Sequence, residues 1–171
     1  MTQAITSTVT FQGNPLTLVG NDIQIGQSAP DATLIANDLS EFPLSSLKGK
    51  KIILSVVPSL DTPVCDLQTK RFNSEAINLG NDVTVITVSM DLPFAQARWC
   101  GATGSDQIKT LSDYKSAAFG EAYGVLIKEL RLLSRAIFVV DQEGVLRYKQ
   151  IVSEITNEPN YDEALEAVKK L

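Results

Sequence analysis

Residues 51–65 read KIILSVVPSLDTPVC. The apolar, partly β-branched letters at the front predict a buried strand over 51–57, and the Pro, Ser and Asp behind them predict a turn. Thr62 suits a helix N-cap, and Pro63 suits the first helical position, where a missing N–H costs nothing. This frame predicts a helix from about 63 to 79, stopped by Gly80 and Asn81, with Cys65 as its third residue. Thr62 Oγ is then expected beside the Cys65 N–H, with Phe72, Ala76 and Leu79 on the same buried face as Cys65.

Downstream, DVTVITVS (82–89) predicts a second strand, so strand, helix and strand form a right-handed βαβ unit with parallel strands. LPFAQARWC predicts a short helix running to Gly101, and 111–133 reads as a turn with short helical pieces. RAIFVV (135–140), the turn DQEG and VLRYKQIV (145–152) predict an antiparallel hairpin. NYDEALEAVKKL predicts an amphipathic helix with an Asn160 and Glu163 capping pair and an apolar face of Tyr161, Ala164, Leu165 and Val168. Upstream, ITSTVTF (5–11), the turn QGNP and LTLV (16–19) predict an N-terminal β-hairpin within 1–20, and 25–50 reads as irregular with one or two short strands. The order βαβ, a helical region, then ββα is the thioredoxin-like order: an α/β fold around a mixed central sheet. With 171 residues and 44% hydrophobic content, a single domain spanning 1–171 is expected.

The formal net charge is −5, and cations occur only in short groups such as Lys48, Lys50 and Lys51, or Lys169 and Lys170. No stripe exists to track a phosphate backbone, so nucleic acid is not an expected partner. No cationic start precedes an apolar run, and no stretch of about 18 apolar residues occurs, so a soluble cytoplasmic protein without membrane partners is expected. The two cysteines do not make a secreted disulfide framework, and any bond between them is expected to be transient. The absence of histidine excludes Cys-His and Ser-His-Asp catalysis, imidazole proton shuttles and His-ligated metal. Two cysteines alone fit no usual zinc site, and no metal or other cofactor is expected.

A thiol at a helix start meets unpaired N–H groups and a partial positive charge, which favour the nucleophilic thiolate. A Cys beside an apolar strand is also the ordinary place of an inert core thiol, and Thr-Pro is a common helix start without chemistry. Spacing by itself leaves both readings open. From the residues alone, Arg135 reads first as a solvated strand end, and Cys100 as a buried helical thiol ahead of one half of a static bridge.

PSLDTPVC resembles the active-site loop of the peroxiredoxins, Pro-x-x-x-Thr-x-x-Cys, matched by Pro58, Thr62 and Cys65. The whole chain is similar to the thiol peroxidase branch of that family, the atypical two-cysteine type. The likeness extends through the N-terminal hairpin, APDATL, FAQARWC, AFGEAYGV, LLSRAIFVVD and EITNEPNYDEAL. It implies that Cys65 is the peroxidatic cysteine and Cys100 the resolving one, joined in a redox disulfide during turnover. It further implies that Thr62 and Arg135 hold peroxide and thiolate, while Pro58 shields the sulfur and Val64 lines the substrate pocket. Hydrogen peroxide and organic hydroperoxides are the implied substrates, thioredoxin the implied reductant and a homodimer the implied assembly. In place of the family's Lys-Arg-Phe-Cys, this chain has Ala97, Arg98, Trp99 and Cys100.

Two other classes compete with a peroxidase. A thioredoxin-like disulfide oxidoreductase carries Cys-x-x-Cys at this helix start, and Thr62 occupies the first position here. A non-enzymatic redox sensor or binding module would show oxidation without rapid turnover.

Overall fold

The computed structural model describes residues 4–171, so residues 1–3 of the expected hairpin segment lie outside the described residues. β1 (Ala4–Phe11) and β2 (Asn14–Asn21) pair antiparallel from Ala4↔Asn21 to Phe11↔Asn14. The turn is shorter than the predicted QGNP. Gln12 and Gly13 both take positive φ, at 50° and 81°, which matches the twist of a two-residue hairpin loop and leaves Asn14 and Pro15 in the strand.

β3 (Thr33–Ile35), β4 (Glu41–Pro43) and a 3-10 turn (Leu44–Leu47) give the irregular segment its short pieces. There follow β5 (Lys51–Val56), α1 (Pro63–Leu79), β6 (Val83–Ser89), α2 (Pro93–Thr103) and β7 (Lys109–Ser112). The chain then forms α3 (Ala118–Ala122), β8 (Leu126–Ile127), β9 (Leu132–Leu133), β10 (Ala136–Val140), β11 (Leu146–Ile151) and α4 (Tyr161–Lys169). Seven strands make one mixed sheet in the order β11-β10-β5-β6-β7-β3-β4, and β1-β2-β8-β9 form a second, four-stranded sheet. β5 lies inside the large sheet between β10 and β6, parallel to β6 from Lys51↔Val83 to Val56↔Val88 and antiparallel to β10. The thioredoxin-like α/β arrangement is therefore present.

Alternating side chains of the central strands feed two cores, as the two-residue period requires. Ile53, Val85, Ile137 and Val139 pack with Phe72 of α1 and Ala164, Leu165 and Val168 of α4. Leu54, Val56, Ile86, Val88 and Phe138 pack on the other face with Phe119 and Tyr123. Burial on both faces explains why 51–57 reads as a nearly continuous apolar run.

Three further local expectations are corrected. The region after α2 contributes a strand, β7, parallel to β6, rather than only helical pieces and a turn. α2 runs to Thr103 instead of Gly101, and Gly104 closes it in the left-handed conformation at φ 64°. The Asn160 and Glu163 pair is half a capping box: Asn160 Oδ1 accepts from Glu163 N at 3.2 Å, but Asn160 N donates to Gln150 Oε1.

The small sheet is tied to the segment between β11 and α4. Thr10 N donates to Ser153 O at 2.7 Å and Ile155 N to Thr10 O at 2.9 Å. The Glu154 carboxylate caps the hairpin turn, accepting from Gln12 N at 2.9 Å and Gly13 N at 3.1 Å, and from the hydroxyls of Thr10 and Thr156. No helix among the described residues is long and apolar enough to cross a membrane.

Candidate active site

The segment from Val57 to Thr62 leaves the carboxyl end of β5, where α/β sheets commonly place their chemistry. Asp91, just beyond β6, fixes this loop: its carboxylate accepts from Ser59 Oγ at 2.7 Å, Leu60 N at 2.8 Å and Ser89 Oγ at 2.8 Å. Thr62 is the extended N-cap of α1; its Oγ1 accepts from Cys65 N at 3.3 Å and donates to Ser59 O at 3.2 Å. Pro63 opens the helix and Cys65 is its third residue, fully buried.

Arg135 stands immediately before β10 and is 2% exposed, so it is not a solvated strand end. Each guanidinium nitrogen has a partner: Nε donates to Ile155 O at 2.9 Å, Nη1 to Gln68 Oε1 at 2.9 Å and Nη2 to Cys65 Sγ at 3.3 Å. Gln68 is held in turn by its own Nε2, which donates to Ser55 Oγ at 2.8 Å. No carboxylate lies within ion-pairing distance of Arg135 among the described residues. A buried guanidinium with only neutral oxygens around it is costly, and an anionic sulfur is the counter-ion its surroundings lack.

Cys65 packs with Val57, Leu60 and Trp99, and Cys100 lies partly buried against the same cluster. Both thiols are free. Cys100 Sγ lies 3.5 Å from Thr110 Oγ1 at the rim of an open cleft shared with Asn37, Phe42 and Gly104. Trp99 Nε1 donates to Asp66 Oδ1 at 2.9 Å, and Asp66 also pairs with Lys70 at 2.8 Å. Among the described residues, no group of three or more Cys, Asp or Glu side chains gathers to hold a metal ion.

The structure thus brings Thr62, Cys65 and Arg135 into one hydrogen-bonded unit and puts Cys100 on the neighbouring helix. Pro58 is buried in the loop, and Val64 is half-buried beside Cys65 in the chain. Sequence reasoning missed Gln68 and Asp91. Gln68 carried a signal: three residues after Cys65, it is a polar side chain on the helix face that Phe72 marks as buried. Asp91 carried none, because the loop groups it holds, Ser59 Oγ and Leu60 N, lie across a helix and a strand.

The Redoxin family profile matches residues 24–165. A thiol peroxidase of Bacillus subtilis is 57% identical over 163 residues, covering 95% of this chain and 97% of the relative. A thiol peroxidase of Listeria innocua is 52% identical over 162 residues, covering 95% and 98%. The crystal structure of a peroxiredoxin-like protein from Aquifex aeolicus superposes with a TM-score of 0.90 at 42% identity, covering 96% of this chain and 98% of the other. A thiol peroxidase from Chromobacterium violaceum, 21% identical, shares the fold with a TM-score of 0.85 over 95% of both chains.

Proposed function

Since the chain belongs to the Redoxin family and is a peroxiredoxin-type thiol peroxidase, we propose that Cys65 is its peroxidatic cysteine and Cys100 its resolving cysteine, with thioredoxin as reductant. Peroxidase activity of this type consumes a hydroperoxide and a thiol reductant. In the proposed cycle the Cys65 thiolate attacks one peroxide oxygen, the O–O bond breaks, and the departing oxygen takes a proton to leave as water or an alcohol. Cys65 is left as a sulfenic acid. The Cys100 sulfur then displaces hydroxide from it, giving a disulfide and water, and a dithiol reopens the bond by exchange.

The observation that carries this reading is the Arg135 Nη2 contact with Cys65 Sγ at 3.3 Å by a buried cation without a carboxylate partner. Ionisation alone does not suffice: a free thiol is already about 3% thiolate at pH 7, so full ionisation gains at most about 30-fold. Polarising the O–O bond must supply the rest. Arg135 and the Cys65 N–H are the donors available as charge builds on the leaving oxygen, and Thr62 Oγ1 orients the peroxide proton. Pro58 keeps water from the sulfur and Val64 flanks the approach. The whole chain, 1–171, acts as one domain, and a homodimer in the cytoplasm completes the proposal.

The test is peroxide consumption driven by thioredoxin and its reductase, with hydrogen peroxide and alkyl hydroperoxides, for the wild type and Cys65→Ser. Turnover lost in the variant supports the assignment. Substantial turnover without Cys65 would sink it. Reduction of protein disulfides without peroxide turnover would favour a disulfide oxidoreductase, and oxidation without turnover a sensor.

A further inference from the structure

Asp66 follows Cys65 and Trp99 precedes Cys100, and the bond from Trp99 Nε1 to Asp66 Oδ1 is the one hydrogen bond between α1 and α2 among the described residues. We propose that this pair is a latch on the reduced enzyme, and that it sets how the sulfenic acid divides between disulfide and sulfinic acid. The inference rests on the Cys65 to Cys100 disulfide proposed above.

The latch follows from what must open. Cys65 is fully buried in the first turn of α1, where its carbonyl accepts from Thr69 Oγ1 at 2.8 Å. Cys100 sits in the last turn of α2, where its carbonyl accepts from Ser105 N at 3.2 Å. These bonds stay within one helix or its end, and water can replace them as a turn frays. The Trp99 bond differs in kind because it joins the two thiol-bearing segments. An indole and a carboxyl set end to end hold two backbones apart as well as together, whereas a disulfide needs Cα atoms within about 7 Å. Trp99 is 9% exposed and packs in the apolar cluster around Cys65, and as the residue before Cys100 it is carried along by any unwinding that brings Cys100 to Cys65. Closing the disulfide therefore requires the indole to leave Asp66.

Two reactions compete for the sulfenic acid. In one, the Cys100 thiol gives up its proton, its sulfur attacks Cys65 Sγ, the S–O bond breaks, and hydroxide leaves and is protonated to water. In the other, a second hydroperoxide transfers an oxygen to the same sulfur, giving sulfinic acid and water or an alcohol. The second path needs no movement of either helix. A latch that delays the first path hence raises the share of the second at a given peroxide concentration.

The experiment mixes reduced protein with a range of hydrogen peroxide concentrations, quenches by alkylation, and reads disulfide and sulfinic acid by intact mass. The ratio of the two products is independent of the rate of the first oxidation. Trp99→Phe removes the donor and keeps an apolar ring; losing a partly solvated bond to a charged acceptor should shift the ratio towards disulfide by about tenfold. Asp66→Ala should do the same, which keeps the test available if Trp99→Phe does not fold. The double variant should add nothing further, and Asp66→Asn, which retains an acceptor oxygen, should return most of the way to the wild type. A general loosening of the helices would give additive effects and no such rescue. An unchanged ratio in both single variants, with a normal wild-type disulfide, overturns the latch alone. Failure of the wild type to form the intrachain disulfide overturns both the latch and the resolving role of Cys100.

Discussion

The carbonyl of Ile155 accepts from Arg135 Nε at 2.9 Å, while the amide of the same residue donates to Thr10 O at 2.9 Å. One peptide segment therefore joins the N-terminal hairpin to the guanidinium that touches Cys65. The neighbouring Glu154 holds that segment against the hairpin turn, and its protonation state becomes a lever on the whole arrangement.

Hydrogen bonds from Thr10 and Thr156, against a small cost of burial, pull the Glu154 carboxyl from its ordinary value of 4.5 to about 2. A carboxyl whose folded value is depressed contributes stability that is fully present above the unfolded value and is lost as pH falls through the folded one. Urea unfolding midpoints of the wild type should fall between about pH 5 and pH 2. Glu154→Gln should start lower at pH 7 and fall less steeply over that window. Parallel curves would refute the carboxylate's role.

Arg135→Met keeps the volume of the stem and removes the donor to Cys65 Sγ. Losing one donor of this kind costs about 2.7–4 kcal/mol, so the peroxide step should slow by about 10²–10³-fold. The step should stay slow at a pH where any thiol is ionised. Full recovery there would leave Arg135 with a role in ionisation only. Arg135→Lys should also fail, because one ammonium cannot reach Ile155 O, Gln68 Oε1 and Cys65 Sγ as the planar fork does.

Cys100→Ser should consume about one equivalent of peroxide quickly and then only the slower equivalents of over-oxidation, without steady turnover, because the sulfenic acid has no thiol partner within the chain. Intact mass should first show a single added oxygen on Cys65 and then further additions. Undiminished steady-state turnover with thioredoxin would exclude Cys100 as the resolving residue.

Trp99 is the only tryptophan, and its indole sits between an apolar cluster and the Asp66 carboxylate. Forming the disulfide should change its emission, and thioredoxin should reverse the change. Cys65→Ser should show no response to peroxide. A disulfide detected by mass without any change in emission would mean that the indole stays in place during the cycle.

The sequence was most legible where period and punctuation agree. The run 51–57 and the Thr62-Pro63 start placed β5, α1 and the Cys65 amide, because local sterics and capping decide those features. β7 was hidden: its buried side chains include Thr110 and Ser112, whose hydroxyls are satisfied by Asn37 and by the Asp91 carbonyl, so the strand lacks an apolar signature. Arg135 became a site candidate only through the family resemblance, since Gln68, Ile155 and Cys65 meet it from distant segments. The Asp66 to Trp99 bond was likewise invisible, as it depends on how two helices cross.

The missing carboxylate beside Arg135 also bears on redox poise. In the proposed cycle a thiolate offers the guanidinium a charge to face, and the disulfide sulfur offers none. The folded arrangement then favours the dithiol over the oxidised form, which raises the reduction potential of the couple, by about 30 mV for each tenfold preference. A bond made easily reducible in this way accepts electrons from a weaker donor: the arrangement that prepares Cys65 for peroxide also readies the oxidised protein for its reductant.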